Sequence, residues 1–370
     1  MYYKQFHNIG ISALGMGGLR FPMEGNSPDR IDRKKGQKLV DAAIAGGINY
    51  FDTAYTYQGG DSERFLGEAL SQYPRESFLF ATKFYVTPGA DLETIFEEQL
   101  SRCQMDYFDF YLLHSVTEKS IAAYTDESKN YIGYLLEQKR LGRIRYLGFS
   151  SHAAPDTLER FLEWYDDFDM ALIQLNYVDW NVLDAKRQYD ILTERGIPIW
   201  VMEPLKGGRL SNLNEEGNQL LKAAAPDQSV SSWGFRFLMG LPNVQTVLSG
   251  MTTQEQLLDN LAIFDRWNPL SPKEAQTLEQ VRMTLMRDLG VPCSDCRYCC
   301  ASCPAELGIP LLIRGYNEYN ISGELWRVAG LATGKGPKHC IECGVCMNHC
   351  PQQIDIPKVL KELSSILEKR

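Results

Sequence analysis

The chain is short of several things at once. It has no basic run longer than Arg33-Lys34-Lys35, and its first ten residues, MYYKQFHNIG, lack the apolar core of an export signal. No apolar stretch approaches the roughly 20 residues that a bilayer-spanning helix needs. Cysteine is nearly missing from the first four fifths of the sequence. Only Cys103 precedes position 293, and the other nine of ten crowd between Cys293 and Cys350. Each lack excludes a class. With 47 acidic against 38 basic residues and a formal charge of −9, the chain repels polyanions, so nucleic acid is not an expected partner. Without a leader, a disulfide framework has no oxidising compartment to form in, and a soluble cytoplasmic protein is expected. Hydrophobic content of 44% and charged content of 23% exclude extensive disorder.

What is present is length and alternation. The 370 residues suffice for one large domain and a smaller one. Short apolar runs read as strands at Ile11–Met16, Ile48–Phe51, Phe78–Thr82, Phe108–Leu113, Ile144–Phe149, Ala171–Leu175, Ile197–Met202 and Val244–Leu248. Amphipathic stretches lie between them, among them Gln37–Ala45, Glu63–Leu70, Leu92–Cys103, Tyr131–Leu141, Asp156–Tyr165 and Asp184–Arg195. Eight strand–helix repeats predict an α/β protein with a parallel sheet, either a closed (β/α)8 TIM barrel or an open doubly wound sheet. Polar residues decide between them. Asp52, Lys83, His114, Ser150, Gln174, Glu203 and Ser249 each close a different strand. A barrel gathers those ends on one rim, whereas an open sheet strings them along an edge. The barrel is the expectation for residues 1–270, followed by a connecting helix at 271–290 and a small, mainly helical domain at 291–370.

That last domain carries one spacing twice: Cys293-x2-Cys296-x2-Cys299-x3-Cys303-Pro304 and Cys340-x2-Cys343-x2-Cys346-x3-Cys350-Pro351. It is the spacing of ferredoxin-like proteins with two [4Fe–4S] clusters. Three thiolates two residues apart wrap three corners of a cube, and the proline turns the fourth toward the other cube. Cys293, Cys296, Cys299 and Cys350 are therefore expected on one cluster, and Cys340, Cys343, Cys346 and Cys303 on the other. Zinc, the rival, takes four ligands, paired from two loops. Cys300 and Cys103 fall outside both sets. Between the runs, Glu318–Leu331 looks helical, as does the amphipathic tail Pro357–Arg370.

Phe51-Asp52-Thr53-Ala54-Tyr55-Thr56-Tyr57, Ser62-Glu63, Leu66-Gly67, Ala81-Thr82-Lys83 and Asp109-Phe110-Tyr111-Leu112-Leu113-His114 resemble, in order and placement, the motifs of aldo-keto reductases. The whole chain resembles the subgroup with a C-terminal ferredoxin-type dicluster domain. The resemblance implies a catalytic tetrad of Asp52, Tyr57, Lys83 and His114. Elementary chemistry agrees: carbonyl reduction needs a hydride on carbon and a proton on oxygen. A phenol is a reluctant acid, and a neighbouring ammonium is expected to lower its pKa. Asp52 would neutralise Lys83, and His114 would orient the carbonyl.

The same resemblance implies NADP(H) or NAD(H) as cofactor. The nucleotide would meet Gly17 and Gly18 after the first strand, and Ser150, Ser151 and Gln174 at the nicotinamide, with Ser151 where asparagine is common. Met202 stands where the family usually stacks an aromatic. Pro204, Leu205, Gly207, Gly208 and Arg209 form a loop suited to pyrophosphate, with Lys206 or Arg209 adding charge. Ser249, Gly250, Met251, Gln256, Asp259 and Asn260 resemble the adenosine-phosphate loop, but Gly250 and Gln256 occupy places where NADPH-specific members carry cations. Two functions follow. One is an oxidoreductase reducing a small aldehyde or ketone, its clusters serving electron transfer, sensing or structure, with room for a redox protein partner. The other is an electron-transfer iron–sulfur protein whose barrel is a nucleotide-sensing or docking scaffold.

Overall fold

The computed structural model describes all residues except 26, 28, 88, 292, 294–297, 324, 326–334, 351–352 and 369–370. The chain divides into two compact units. The first comprises Met1–Leu175, Arg187–Pro204 and Gly234–Pro269; the second comprises Asn176–Lys186, Leu205–Trp233 and Leu270–Arg370.

The first unit opens with an antiparallel hairpin of β1 (Tyr3–Phe6) and β2 (Ile9–Ser12). Eight parallel strands then close a barrel: β3 (Leu14–Gly17), β4 (Tyr50–Asp52), β5 (Leu79–Phe84), β6 (Phe108–Val116), β7 (Ile144–Ser151), β8 (Met170–Gln174), β9 (Ile199–Met202) and β10 (Val244–Ser249), with β10 pairing β3. The closed barrel expected from the strand-end polarity is the fold. One strand is corrected. Ile11–Met16 is not continuous: Ile11 and Ser12 belong to the hairpin, and the barrel strand starts at Leu14. The apolar run covers both because either environment buries it.

Aromatic side chains fill the barrel's N-terminal half. Phe6 of the hairpin lies 5.0 Å from Trp200 and 5.8 Å from Phe110, ring centre to ring centre, and packs in one core with Tyr50, Leu79 and Met170. That end is a packed plug. Asp109, within the resembling motif, serves there: its buried carboxylate accepts from Arg75 at 2.6 Å, from Arg145 at 2.8 Å and from the Phe80 amide at 2.9 Å. The polar strand ends lie at the other mouth.

In the second unit, helices span Glu215–Ala224, Pro272–Leu289, Ile309–Ser322 and Ile356–Leu367. Ser271 and Glu274 form a capping box at the start of the second of these, which fixes its boundary as the sequence suggests. The helix expected at Glu318–Leu331 starts earlier, at Ile309, with Pro310 in its first turn, and it stops at Ser322 before the left-handed Gly323. The remainder of that expectation falls mostly outside the described residues. Leu307, Ile309, Leu312, Ile313, Ile356, Leu360 and Leu363 form the core, and Cys299 and Cys346 are buried among them. Burying each large aliphatic side chain contributes roughly 2 kcal/mol. Among the described residues no helix is long and apolar enough to cross a membrane.

Candidate functional site

Lys83 ends inside the barrel mouth, 1% exposed, with Nζ donating to Asp52 Oδ1 at 2.5 Å and to the Thr53 carbonyl at 2.6 Å. It sits on β5 beside β4, where Asp52 pairs with Ala81, two residues before Lys83 on the same face of the strand. Tyr57 follows β4 in a short 3-10 turn. The Lys83 ammonium lies 5.1 Å from the Tyr57 ring centre, and the His114 ring meets that phenol edge-on at 5.7 Å. All four residues implied by the resemblance converge.

Burial would lower the Lys83 pKa, but Asp52 and Tyr57 outweigh it and hold the lysine above its ordinary value. Burial raises the Asp52 carboxyl, with Lys83 opposing. For Tyr57 the expectation needs correction. Lys83 does pull the phenol pKa down, but burial pushes it up by more, and Asp52 and Glu203 add to the rise. Tyr57 therefore keeps its proton at neutral pH, as a proton donor must. His114 is held well below the ordinary imidazole value, first by burial, then by Lys83 and His152, so its ring is neutral. Among the described residues its Nδ1 has no hydrogen-bond partner.

Three neighbours escaped sequence reasoning or were seen only as strand-end punctuation. Tyr85, two residues beyond Lys83, stacks edge-on against His114 at 5.6 Å. His152 Nδ1 lies 3.2 Å from Gln174 Oε1. Glu203 takes a left-handed backbone, φ +57°, at the end of β9. The available signals were adjacency to Lys83 and Ser151 and the strand-end position, which are weak without the fold.

The nucleotide positions divide between the units. In the first, Gly18 is buried, and a Cβ there would meet Ser62 Oγ at 2.7 Å and the Asp52 carbonyl at 2.9 Å. Its lack of a side chain serves the packing beneath Asp52. A Cβ on Gly17 would make only ordinary contacts, at 3.5 Å or more. Ser150 Oγ accepts the Ser115 amide at 2.8 Å, and Ser151 Oγ accepts the Ala153 amide at 3.0 Å. Gln174 and Met202 end β8 and β9 side by side, and Pro204 is buried just beyond. Ser249 accepts from Asn260 Nδ2 at 3.0 Å, and Met251 is buried. Asp259 is half-buried. Gln256 Oε1 accepts the amides of Thr252 and Thr253 at 2.8 and 3.3 Å, completing a capping box on the helix Gln254–Ile263.

In the second unit, Leu205 is half-buried, and Gly207, Gly208 and Arg209 are exposed. Lys206, expected to add charge toward a phosphate, does not do so. It is buried, donating to Asp179 Oδ1 at 2.6 Å and to Glu318 Oε2 at 2.5 Å. Two carboxylates overcome its burial and hold its pKa up. Sequence could not reveal this, since Glu318 lies 112 positions away.

The same unit brings thiols together. Cys303, Cys340, Cys343 and Cys346 line one shallow space that opens to solvent, walled otherwise by apolar residues such as Leu307 and Leu360. Cys303 comes from the first cysteine run and the other three from the second, the set expected on one cube. Burial raises the Cys346 thiol, and Cys340, Cys343 and Cys303 raise it further. Burial and the neighbouring Cys300 and Cys293 push the Cys299 thiol up to about 12. Thiols of this kind must give up their protons when they bind a metal. Among the described residues no three ligating side chains close on a single-ion point. Four thiols around one apolar-walled space are a donor set that fits an iron–sulfur cluster. Cys296 lies outside the described residues; Cys293, Cys299 and Cys350 pack around the same apolar core.

Comparison with known proteins agrees. The sequence model for the aldo/keto reductase family matches residues 13–283, and that for the 4Fe–4S dicluster domain matches residues 292–354. The chain is 28% identical over 284 residues, 69% of its own length and 87% of the other's, to the uncharacterized oxidoreductase YqkF of Bacillus subtilis. It is 24% identical over 290 residues to the NADH-specific methylglyoxal reductase of Escherichia coli, covering 65% of this chain and 85% of that one. Among solved structures, the holo form of aldo-keto reductase AKR11C1 from Bacillus halodurans superposes with a TM-score of 0.62 at 25% identity, over 76% of this chain and 96% of that one.

Proposed function

The chain belongs to the aldo/keto reductase family, with a 4Fe–4S dicluster domain after its barrel, and from that premise we propose that it reduces a small aldehyde or ketone with NAD(P)H. The reading is carried by one observation: the buried Lys83 ammonium stands between Asp52 and the Tyr57 ring, with the neutral His114 edge-on to that ring. A bound nicotinamide supplies the hydride. Tyr57 holds the proton at its phenolic oxygen and gives it to the carbonyl oxygen. Lys83 stabilises the phenolate left behind, and Asp52 keeps the lysine charged and in place. His114, uncharged, donates a hydrogen bond that orients the carbonyl without competing as an acid. Gln174, its amide oriented by His152, is suited to the nicotinamide carboxamide, with Ser150 and Ser151.

Two [4Fe–4S] clusters are assigned to Cys293, Cys296, Cys299 and Cys350, and to Cys340, Cys343, Cys346 and Cys303. Support for the second set is the common space lined by its four thiols. When bound, the clusters supply one-electron capacity and complete the core of their domain.

The test is Tyr57→Phe in anaerobically prepared protein, assayed by nucleotide oxidation with methylglyoxal and other short carbonyls. Loss of the proton donor should lower turnover about 10²- to 10⁴-fold. Undiminished turnover would end the reductase reading. Bleaching of cluster absorbance by NAD(P)H without any carbonyl would favour the electron-transfer alternative.

A further inference from the structure

The positions where NADPH-specific relatives carry cations hold Gly250 and Gln256 here, and both are accounted for without a phosphate. Gln256 spends its side-chain oxygen on the amides of Thr252 and Thr253. Gly250 is the more telling. A Cβ built there would meet Arg20 Cβ at 2.9 Å, Cγ at 3.0 Å and Cδ at 3.3 Å. The aliphatic arm of Arg20 thus passes through the space that a side chain at position 250 would fill.

Arg20 comes from the segment after β3, at the far end of the sequence, and β3 is hydrogen-bonded to β10 in the closed barrel. Closure brings the two loops together, and Thr252 Oγ1 seals them by donating to the Arg20 carbonyl at 2.9 Å. Arg20 is exposed, and among the described residues no carboxylate pairs with its guanidinium. Glu255, the acid in the first turn of that helix, turns its charge back on its own amide and on Thr253.

We propose that Arg20 is the specificity-determining residue for the 2′-phosphate of NADPH, replacing from the turn after the first barrel strand the cation that Gly250 cannot supply from the loop after the last. The assignment rests on the nucleotide reading above. A guanidinium suits a phosphate dianion because it presents paired N–H donors to two oxygens. NADH lacks that phosphate and gains nothing from the contact.

The test compares NADPH and NADH both as ligands, by direct titration of their binding to the anaerobic holoenzyme without any carbonyl, and as reductants of methylglyoxal, so that affinity is read apart from turnover. Arg20→Gln should raise KM for NADPH about tenfold to a hundredfold, the range of a charge-assisted contact. It should leave KM for NADH within about twofold and act little on kcat. Arg20→Lys should recover part of the loss. Gly250→Ala keeps the charge but displaces the arm, and should weaken NADPH selectively too. An unchanged NADPH-to-NADH ratio in Arg20→Gln overturns the assignment, as does an equal loss for both nucleotides. Either result would leave the reductase reading standing; wild-type protein that uses neither nucleotide would overturn both.

Discussion

Replacing Lys83 with methionine would take the ammonium from Asp52 Oδ1 and the Thr53 carbonyl, at 2.5 and 2.6 Å, and leave a carboxylate 3% exposed without its counter-charge. Breaking one half of a buried ion pair costs about 3–5 kcal/mol. Lys83→Met should therefore lose both turnover and denaturant midpoint, whereas Tyr57→Phe should lose turnover alone; equilibrium unfolding separates them. The imidazole of His114 sets a pH dependence whose sign is fixed by burial. Its folded pKa is depressed, so the unfolded chain binds the proton more readily. The stability of this neutral ring is complete above the unfolded histidine value, about 6.5, and drains away as pH falls below it. His114→Gln should flatten that acid limb of the unfolding curve. The turnover profile for reduction should show no loss through neutrality, since Tyr57 is raised and stays protonated. Asp52, Tyr57, Lys83 and His114 were legible through the family motifs that carry them; Tyr85 and His152 were not, because a side chain's neighbours across the mouth follow from barrel closure.

Among elements, the loop after β9 and the helix Ile309–Ser322 are joined by Lys206, held between Asp179 and Glu318 with all three side chains wholly buried. Asn176 Nδ2 braces the other oxygen of Asp179 at 2.5 Å. Lys206→Met would strand two carboxylates together, a loss on the order of 3–5 kcal/mol. Thermal unfolding of the holoprotein should shift down, while Lys206→Met with Asp179→Asn and Glu318→Gln should recover much of it. The helix carrying Glu318 seats Ile309, Leu312 and Ile313 on the thiol-bearing core. The helix Pro272–Leu289, closed at its start by Ser271 and Glu274, matches the expected connecting helix, whereas the helix expected from Glu318 begins at Ile309.

At the scale of the molecule, the two cysteine runs make a claim about connectivity that differs from reading each run alone. If Cys303 serves the cube of Cys340, Cys343 and Cys346, then Cys303→Ser and Cys346→Ser damage the same cluster. Anaerobic protein should contain about eight irons per chain. Both variants should fall toward about four and leave the same electron paramagnetic resonance signal after reduction; different residual signals would mean each run ligates locally. Sequence alone determined the barrel, through strand period and strand-end polarity, and it singled out the eight cysteines by their spacing and the four residues at the mouth by family resemblance, all of them local patterns that survive without coordinates. Tertiary structure decided the rest: that β10 meets β3 and lays Arg20 over Gly250, that Lys206 is captured by a residue over a hundred positions away, and that burial outweighs Lys83 at Tyr57. The physical reason is the same in each case. Electrostatic and steric partners are set by distance through space, and only folding converts sequence separation into distance.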